Sequence, residues 1–180
     1  MLEIEAKIRV SSLETVRERL AALDSERQGG IRHERDIYWN APDRDFSVTD
    51  EALRLRYADG ECILTYKGAK IHAAGLKARE ELNLVVEDGA TLETILSRLG
   101  FSRTAVVEKQ RETYRVPGAT VTLDNVRDLG TFIENEAEAG MHEADAVLRI
   151  NDLTRNLGVS SEYLTQSYLE MLLETMQGRE

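Results

Sequence analysis

Residues 2–10, L-E-I-E-A-K-I-R-V, alternate without a slip. Leu2, Ile4, Ala6, Ile8 and Val10 point one way while Glu3, Glu5, Lys7 and Arg9 point the other, because successive side chains of a strand face opposite sides. Taken singly, this is an amphipathic strand with its apolar face on a core and its charges in water. The same charged alternation returns downstream in strand after strand, and that recurrence constrains what the chain can become.

A helix follows the first strand, opened by the S-x-x-E capping box Ser11–Glu14 and striped by Leu13, Val16, Leu20 and Leu23. After a polar loop at 25–30, residues 35–40 read as a strand with Asp36, Tyr38 and Asn40 on one face. Two more strands, 53–57 and 62–67, are joined around Asp59-Gly60, a strong hairpin signal. Small residues at 68–75 read as a loop, and 78–86 as a strand. A helix at 91–99 stops at Gly100. Strands at 106–116 and 120–126 form a hairpin across Pro117-Gly118, a pair suited to a type II turn, and 130–137 is the last strand. Helices at 142–157 and 168–176 close the chain, the latter with a second capping box, Ser167 and Glu170. Strand followed by Leu13-Glu14-Thr15 echoes strand followed by Leu92-Glu93-Thr94. Seven or eight mostly antiparallel strands with few helices predict an α+β fold in one domain over residues 1–180, compatible with a closed or nearly closed barrel.

The polar strand faces collect Glu3, Glu5, Lys7, Arg54, Arg56, Thr65, Lys67, Arg79, Glu81, Lys109, Arg111, Asp124, Glu134 and Glu136. Arginine beside regularly spaced lysine suits multidentate phosphate binding. Carboxylates at i, i+2 occur twice, in Glu3/Glu5 and Glu134/Glu136, each pair about 7 Å apart along its strand. Such oxygen-rich clusters suit Mg²⁺ or Mn²⁺ bridging protein to phosphate. The competing explanation is a set of cross-strand ion pairs worth little each, and on pattern alone the two stand level. The net charge of −10 and pI near 4.9 argue against a nucleic-acid partner, so an anion site must be local and internal. Cys62 is the only cysteine and reads as a small buried hydrophobe. No disulfide, signal peptide or apolar span is expected, which points to a cytoplasmic protein without a membrane partner. His33, His72 and His142 fall in loops or at element edges and read as solvated; there is no P-loop or G-x-G-x-x-G sequence.

These residues resemble the CYTH family, or triphosphate tunnel metalloenzymes, over almost the whole chain. Glu3-Ile4-Glu5-Ala6-Lys7 matches the family's E-x-E-x-K. Asp36-Ile37-Tyr38-Trp39, Leu53-Arg54-Leu55-Arg56, Thr65-Tyr66-Lys67-Gly68, Glu108-Lys109-Gln110-Arg111 with Tyr114, and Leu123-Asp124 through Leu129-Gly130 to Glu136 follow in the family's order. Glu108 to Arg111 and Leu129 to Phe132 are most similar to class IV adenylyl cyclases. The resemblance implies a closed eight-stranded antiparallel barrel, charged inside, with helices packed outside. It implies that Glu3, Glu5, Asp124, Glu134 and Glu136 carry Mg²⁺ or Mn²⁺, and that Lys7, Arg56, Lys109 and Arg111 act on the triphosphate. Arg54, Lys67 and Arg79, with Glu81 and Tyr38, would bind the substrate, Glu81 by pairing with one of the cations. Asn135 stands where the family usually has an apolar residue, and is expected to face outward to solvent or a partner. The loop at 68–75 would sit where it could gate the tunnel. Relatives often dimerise, so a homodimer is an open expectation, with no surface marked for it.

The implied substrate is a small-molecule triphosphate: ATP, tripolyphosphate or thiamine triphosphate. Three activities follow in order: a class IV-type adenylyl cyclase, an inorganic or thiamine triphosphatase, and a non-catalytic polyphosphate or nucleotide binder. The paired acids disfavour the last.

Overall fold

The charged alternations pair side by side into one antiparallel sheet that returns on itself. The computed structural model describes the backbone of residues 2–73 and 76–177 and the side chains of residues 4–71 and 78–176. In chain order the elements are β1 (Leu2–Arg9), α1 (Leu13–Ala21), β2 (Glu26–Arg27), β3 (Arg32–Asn40), α2 (Phe46–Thr49), β4 (Ala52–Ala58), β5 (Glu61–Lys67), β6 (Ile71–Ala73) and β7 (Leu76–Val85). They continue with α3 (Gly89–Arg98), β8 (Ser102–Val116), β9 (Ala119–Val126), β10 (Gly130–Ala137), α4 (Glu143–Asn156) and α5 (Tyr168–Gln177). Neighbouring strands run β1-β10-β9-β8-β3-β4-β5-β7, and β7 pairs back onto β1 with Ile4 opposite Ala78. The result is a closed eight-stranded antiparallel barrel with five helices. Closure leaves no open edge, and eight strands enclose a lumen just wide enough for side chains or a small ligand.

Apolar strand faces point outward beneath helices. Val16 and Leu20 of α1 pack on Ile8, Val121, Leu123 and Ile133. Ala146 and Ile150 of α4 cover Ile4, Ala6 and Ala137, and Leu96 of α3 covers Ile37, Trp39, Leu55 and Cys62. Each fully buried aliphatic side chain contributes on the order of 1.5–3 kcal/mol; these three clusters form a shell around the barrel, and a fourth, with Tyr38, Val107, Val126 and Phe132, closes one end of an otherwise charged lumen.

Turn chemistry holds the register. Asp59 and Gly60 both take positive φ, 51° and 83°, as the tight hairpin between β4 and β5 demands. Gly118, at φ 71° after Pro117, supplies the left-handed position of a type II turn.

Several local expectations are corrected. Ser12, not Ser11, caps α1, its Oγ accepting from Thr15 N–H at 3.3 Å; Glu14 instead pairs with Arg17 at 2.6 Å. Of the expected loop, residues 71–73 form β6, which folds back on β7 with Ile71 opposite Ala78, while Gly75 lies outside the described residues. The polar stretch at 25–30 contains β2, which pairs with β8. The short α2 was not signalled; Asp45 caps it by accepting from Ser47 N–H at 2.9 Å. Asn135 faces outward but meets neither solvent nor a partner chain. It is 0% exposed beneath α4, where its Nδ2 donates to Thr154 Oγ1 at 3.1 Å. The capping box of α5 forms both of its bonds: Glu170 N–H donates to Ser167 Oγ at 3.2 Å, and Ser167 N–H to Glu170 Oε2 at 2.6 Å.

Candidate functional site

Inward faces of seven of the eight strands, all but β9, line a cavity of about 440 Å³ inside the barrel, and Ser167 and Tyr168 border it. Register decides which charges meet there, because directly opposed residues share a face. Three clusters result.

The first joins β3, β4 and β8. Arg56 lies opposite Asp36 and forks onto it, Nε to Oδ1 at 2.6 Å and Nη2 to Oδ2 at 2.7 Å. Lys109 Nζ reaches Asp36 at 3.0 Å and Glu34 at 2.9 Å, and Arg56 also pairs with Glu34 at 3.0 Å. Burial alone would raise the Asp36 carboxyl, but the charges of Lys109 and Arg54 and the fork from Arg56 hold it well below the usual carboxylate range. Burial lowers Lys109, reinforced by the nearby arginines and opposed by Asp36 and Glu34.

The second joins β8, β9, β10 and β1. Arg111 donates to both oxygens of Asp124, at 2.7 and 2.5 Å, and its Nη2 also reaches Glu134 at 2.5 Å. Burial would lower Arg111, but Asp124 and Glu134 raise it well above its ordinary value, so it stays a cation. Lys7, opposite Glu134 on β1, pairs with it at 3.3 Å. Tyr168, the first residue of α5, enters from outside the sheet: its hydroxyl donates to Asp124 Oδ2 at 2.8 Å, and Lys7 Nζ stands 4.0 Å from its ring centroid, a cation–π distance.

The third joins β4, β5 and β7. Lys67 faces Glu81 and pairs with it. Burial and the charge of Arg54 push Lys67 down to about 8, against the opposing pull of Glu81 and Glu5. Arg54 donates to Thr65 at 3.1 Å, and Thr65 to Asn83 at 2.7 Å. Arg79 borders the same cavity, but its guanidinium donates to the carbonyls of Gly68 and Asp50, fastening the segment between α2 and β6.

Of the expected metal carriers, Glu5 and Glu136 lie directly opposite one another, half-buried, with Glu134 one inward position along β10. Like charges facing across strands are unfavourable unless a cation lies between them, and an all-oxygen set suits a hard divalent ion. The donor chemistry therefore fits Mg²⁺ or Mn²⁺. Among the described side chains no three acids stand together as a ligand set, because Arg111 and Lys7 hold Asp124 and Glu134; the side chain of Glu3 lies outside the described residues. Tyr38 also lines the cavity. His33 and His142 are exposed, and the side chain of His72 lies outside the described residues.

Three residues of the site escaped the sequence reading of roles. Asp36 appeared there only on a strand face and within a motif, Glu34 not at all, and Tyr168 only as the start of a helix. The alternation that put Asp36 on a polar face would have reached Glu34 had the strand been read from residue 32, where β3 begins; nothing local could announce that α5 reaches the lumen.

A family model, the CYTH domain, matches residues 1–168. The chain belongs to the CYTH family. MJ0240 of Methanocaldococcus jannaschii, a protein that carries the provisional name adenylate cyclase, is 36% identical over 174 residues, covering 95% of this chain and 98% of that one. The adenylate cyclase CyaB of Aeromonas hydrophila is 29% identical over 174 residues, covering 92% of this chain and 86% of its own. The structure of PH1819 from Pyrococcus horikoshii OT3 superposes with a TM-score of 0.82 at 37% identity, over 96% of this chain and 99% of that one. The CYTH match ends at Tyr168, so nearly all of α5 lies beyond it. CYTH members are adenylyl cyclases or triphosphatases.

Proposed function

We propose that this chain is a divalent-metal-dependent adenylyl cyclase that holds ATP in the barrel and releases cyclic AMP and pyrophosphate. The observation that carries the reading is the charge pattern of the lumen. Seven cations (Lys7, Arg54, Arg56, Lys67, Arg79, Lys109, Arg111) face seven described carboxylates (Glu5, Glu34, Asp36, Glu81, Asp124, Glu134, Glu136). Among the described side chains those opposite charges are equal in number. A triphosphate would turn the interior strongly negative, unless divalent cations entered with it to stand at Glu5, Glu134 and Glu136, with Glu3 and Asp124 completing the set. The strong CYTH resemblance and the cyclase names of two relatives favour the same activity.

Arg54, Arg56, Lys67 and Lys109 are placed to bind phosphate oxygens, with Asp36, Glu34 and Glu81 fixing their side chains before substrate arrives. Lys7 and Arg111 stand beside the acids and would steady the phosphate nearest the metals. When bound, the metals would supply Lewis-acid polarisation of the phosphate and neutralise the leaving group. The ribose 3′-oxygen forms its bond to the α-phosphorus as the bond from that phosphorus to the β-phosphate oxygen breaks, and the hydroxyl proton passes to solvent. The protein acts by positioning and electrostatics, with no covalent intermediate.

A triphosphatase is the second reading, for a specific reason. The lumen end flanked by Ile63 and Val85 offers an apolar seat for any ring, and the polar side chains beside it engage one another: Arg56, directly opposite Ile63, forks onto Asp36, and Asn83 Oδ1 accepts from Thr65. The test is to incubate the pure protein with Mg²⁺ or Mn²⁺ and ATP, tripolyphosphate or thiamine triphosphate, and to separate the products. Cyclic AMP with pyrophosphate supports the cyclase; orthophosphate from tripolyphosphate with ATP intact supports the triphosphatase; silence on all three sinks both.

A further inference from the structure

The two ends of the lumen differ. At one, inward residues of β5 and β7 finish with Ile63 and Val85, and Val85 is 73% exposed. At the other, α5 sits across the opening. Tyr168 is 5% and Met171 6% exposed, packed with Tyr38, Ala52, Val107, Val126 and Phe132. The rings of Tyr168 and Phe132 meet edge-on, their centroids 5.1 Å apart. The plug is fastened at several points. Lys7 Nζ donates to Gln166 O at 3.2 Å, Lys70 Nζ pairs with Glu170 at 2.6 Å, and Leu164 N–H donates to Lys7 O at 2.8 Å.

We infer that α5 makes the tunnel blind, and that the ring of Tyr168 is a depth stop that fixes how many phosphates fit between the closed end and the apolar mouth. The inference rests on the triphosphate reading above and adds an orientation and a length to it. Substrate must enter phosphate first, past Val85. Its terminal phosphate ends beside Lys7, Lys109 and Arg111, the cations nearest the stop: Lys7 and Lys109 Nζ lie 4.0 and 5.7 Å from the Tyr168 ring centroid. The organic part then rests on Ile63 and Val85. With three phosphates the ring of a nucleoside would meet that seat; a fourth would push it out into water. Tyr168 is thus a specificity-determining residue for phosphate number, and its hydroxyl, engaged with Asp124, is a secondary feature.

The experiment compares methylene-bridged analogues of ATP and of adenosine tetraphosphate, whose bridges resist turnover, by calorimetry with Mg²⁺. Wild type should bind the triphosphate about tenfold tighter than the tetraphosphate. Tyr168→Phe, which keeps the ring, should keep that ratio. Tyr168→Ala, which opens space beneath it, should bring the ratio close to one; if that variant does not fold, Tyr168→Leu should narrow the ratio in the same direction. Inorganic tripolyphosphate and tetrapolyphosphate, which have no ring to displace, should show no comparable preference in any variant. An equal ratio in wild type, or one unmoved by both Tyr168→Ala and Tyr168→Leu, overturns the depth stop and leaves the triphosphate reading standing. Failure of every phosphate ligand to bind wild type overturns both.

Discussion

Asp36 is 1% exposed and touches Arg56 twice, Lys109 once and Arg54 at long range. Replacing it by Asn would leave buried cations without their counter-charge, the costly way to break a buried cluster. Asp36→Asn should therefore lose about 3–5 kcal/mol of unfolding free energy, read from urea denaturation, and a loss below 1 kcal/mol would deny Asp36 its central place. Lys67 makes the second residue-scale prediction. Its folded value near 8 lies below its ordinary 10.5, so between those limits the unfolded chain binds more protons than the folded one. Stability should rise with pH across that window. Phosphate affinity should fall over the same window, as the charge that would grip it is lost. Calorimetry from pH 7 to pH 10 checks the decline, and Lys67→Arg, which keeps its charge, should flatten it. These charges were legible in the sequence because a strand sorts its residues by parity alone. Their pairing was not, because it depends on which strands become neighbours.

At the scale of elements, two buried polar contacts outside the lumen hold helices to the barrel. Glu112, 5% exposed, receives Arg17 of α1 at 2.7 Å and Arg27 of β2 at 3.1 Å. The hydrogen bond from Arg17, with burial opposing, lowers its carboxyl, so this contribution is present above the ordinary carboxylate range and is lost on acidification. Glu112→Ala should weaken the protein by about 1–3 kcal/mol, discounted by the partial exposure of both arginines, without altering turnover. Beneath α4, Asn135 donates to Thr154 while its Oδ1 finds no partner among the described residues. Thr154→Val alone should cost about 1–3 kcal/mol by orphaning the amide, whereas Thr154→Val with Asn135→Val should recover most of that loss. Equal loss in the single and double variants would disprove the coupling. The positions of α1, α3, α4 and α5 and the Ser167 cap could be read from local pattern. The placing of Asn135 could not, since a strand's outward face is wet or dry according to the helix that covers it. Likewise β6 was hidden in a run of small residues, because its pairing with β7 supplies the order that its own sequence lacks.

Across the whole molecule, the described charges of the lumen pair with one another. Arg111 and Lys7 occupy the acids that a metal would take, so removing metal with a chelator should leave the protein folded. Mg²⁺ and tripolyphosphate together should then raise the melting temperature more than the sum of their separate effects, because each offsets the charge the other brings. A ligand at one hundred times its dissociation constant adds about 2.7 kcal/mol; strictly additive shifts would refute the coupling. The count and alternation of strands showed seven or eight strands in a closed or nearly closed barrel; eight-stranded closure followed from the family resemblance. The blind end was visible in neither, since it depends on a helix docking far from the strands that precede it.

The seam between β1, β7 and β10 has a consequence in time. β1 is synthesised before both of the strands that flank it, so Lys7 meets Glu134, opposite it across the seam, only once β10 has been made. Contacts this distant in sequence make for slow folding. They also mean that the proposed phosphate-binding surface has no partial form. A nascent or clipped chain lacking β10 would carry most of the cations and none of the enclosure that gives them a shared ligand, so competence should arrive in one step with the last strand of the ring.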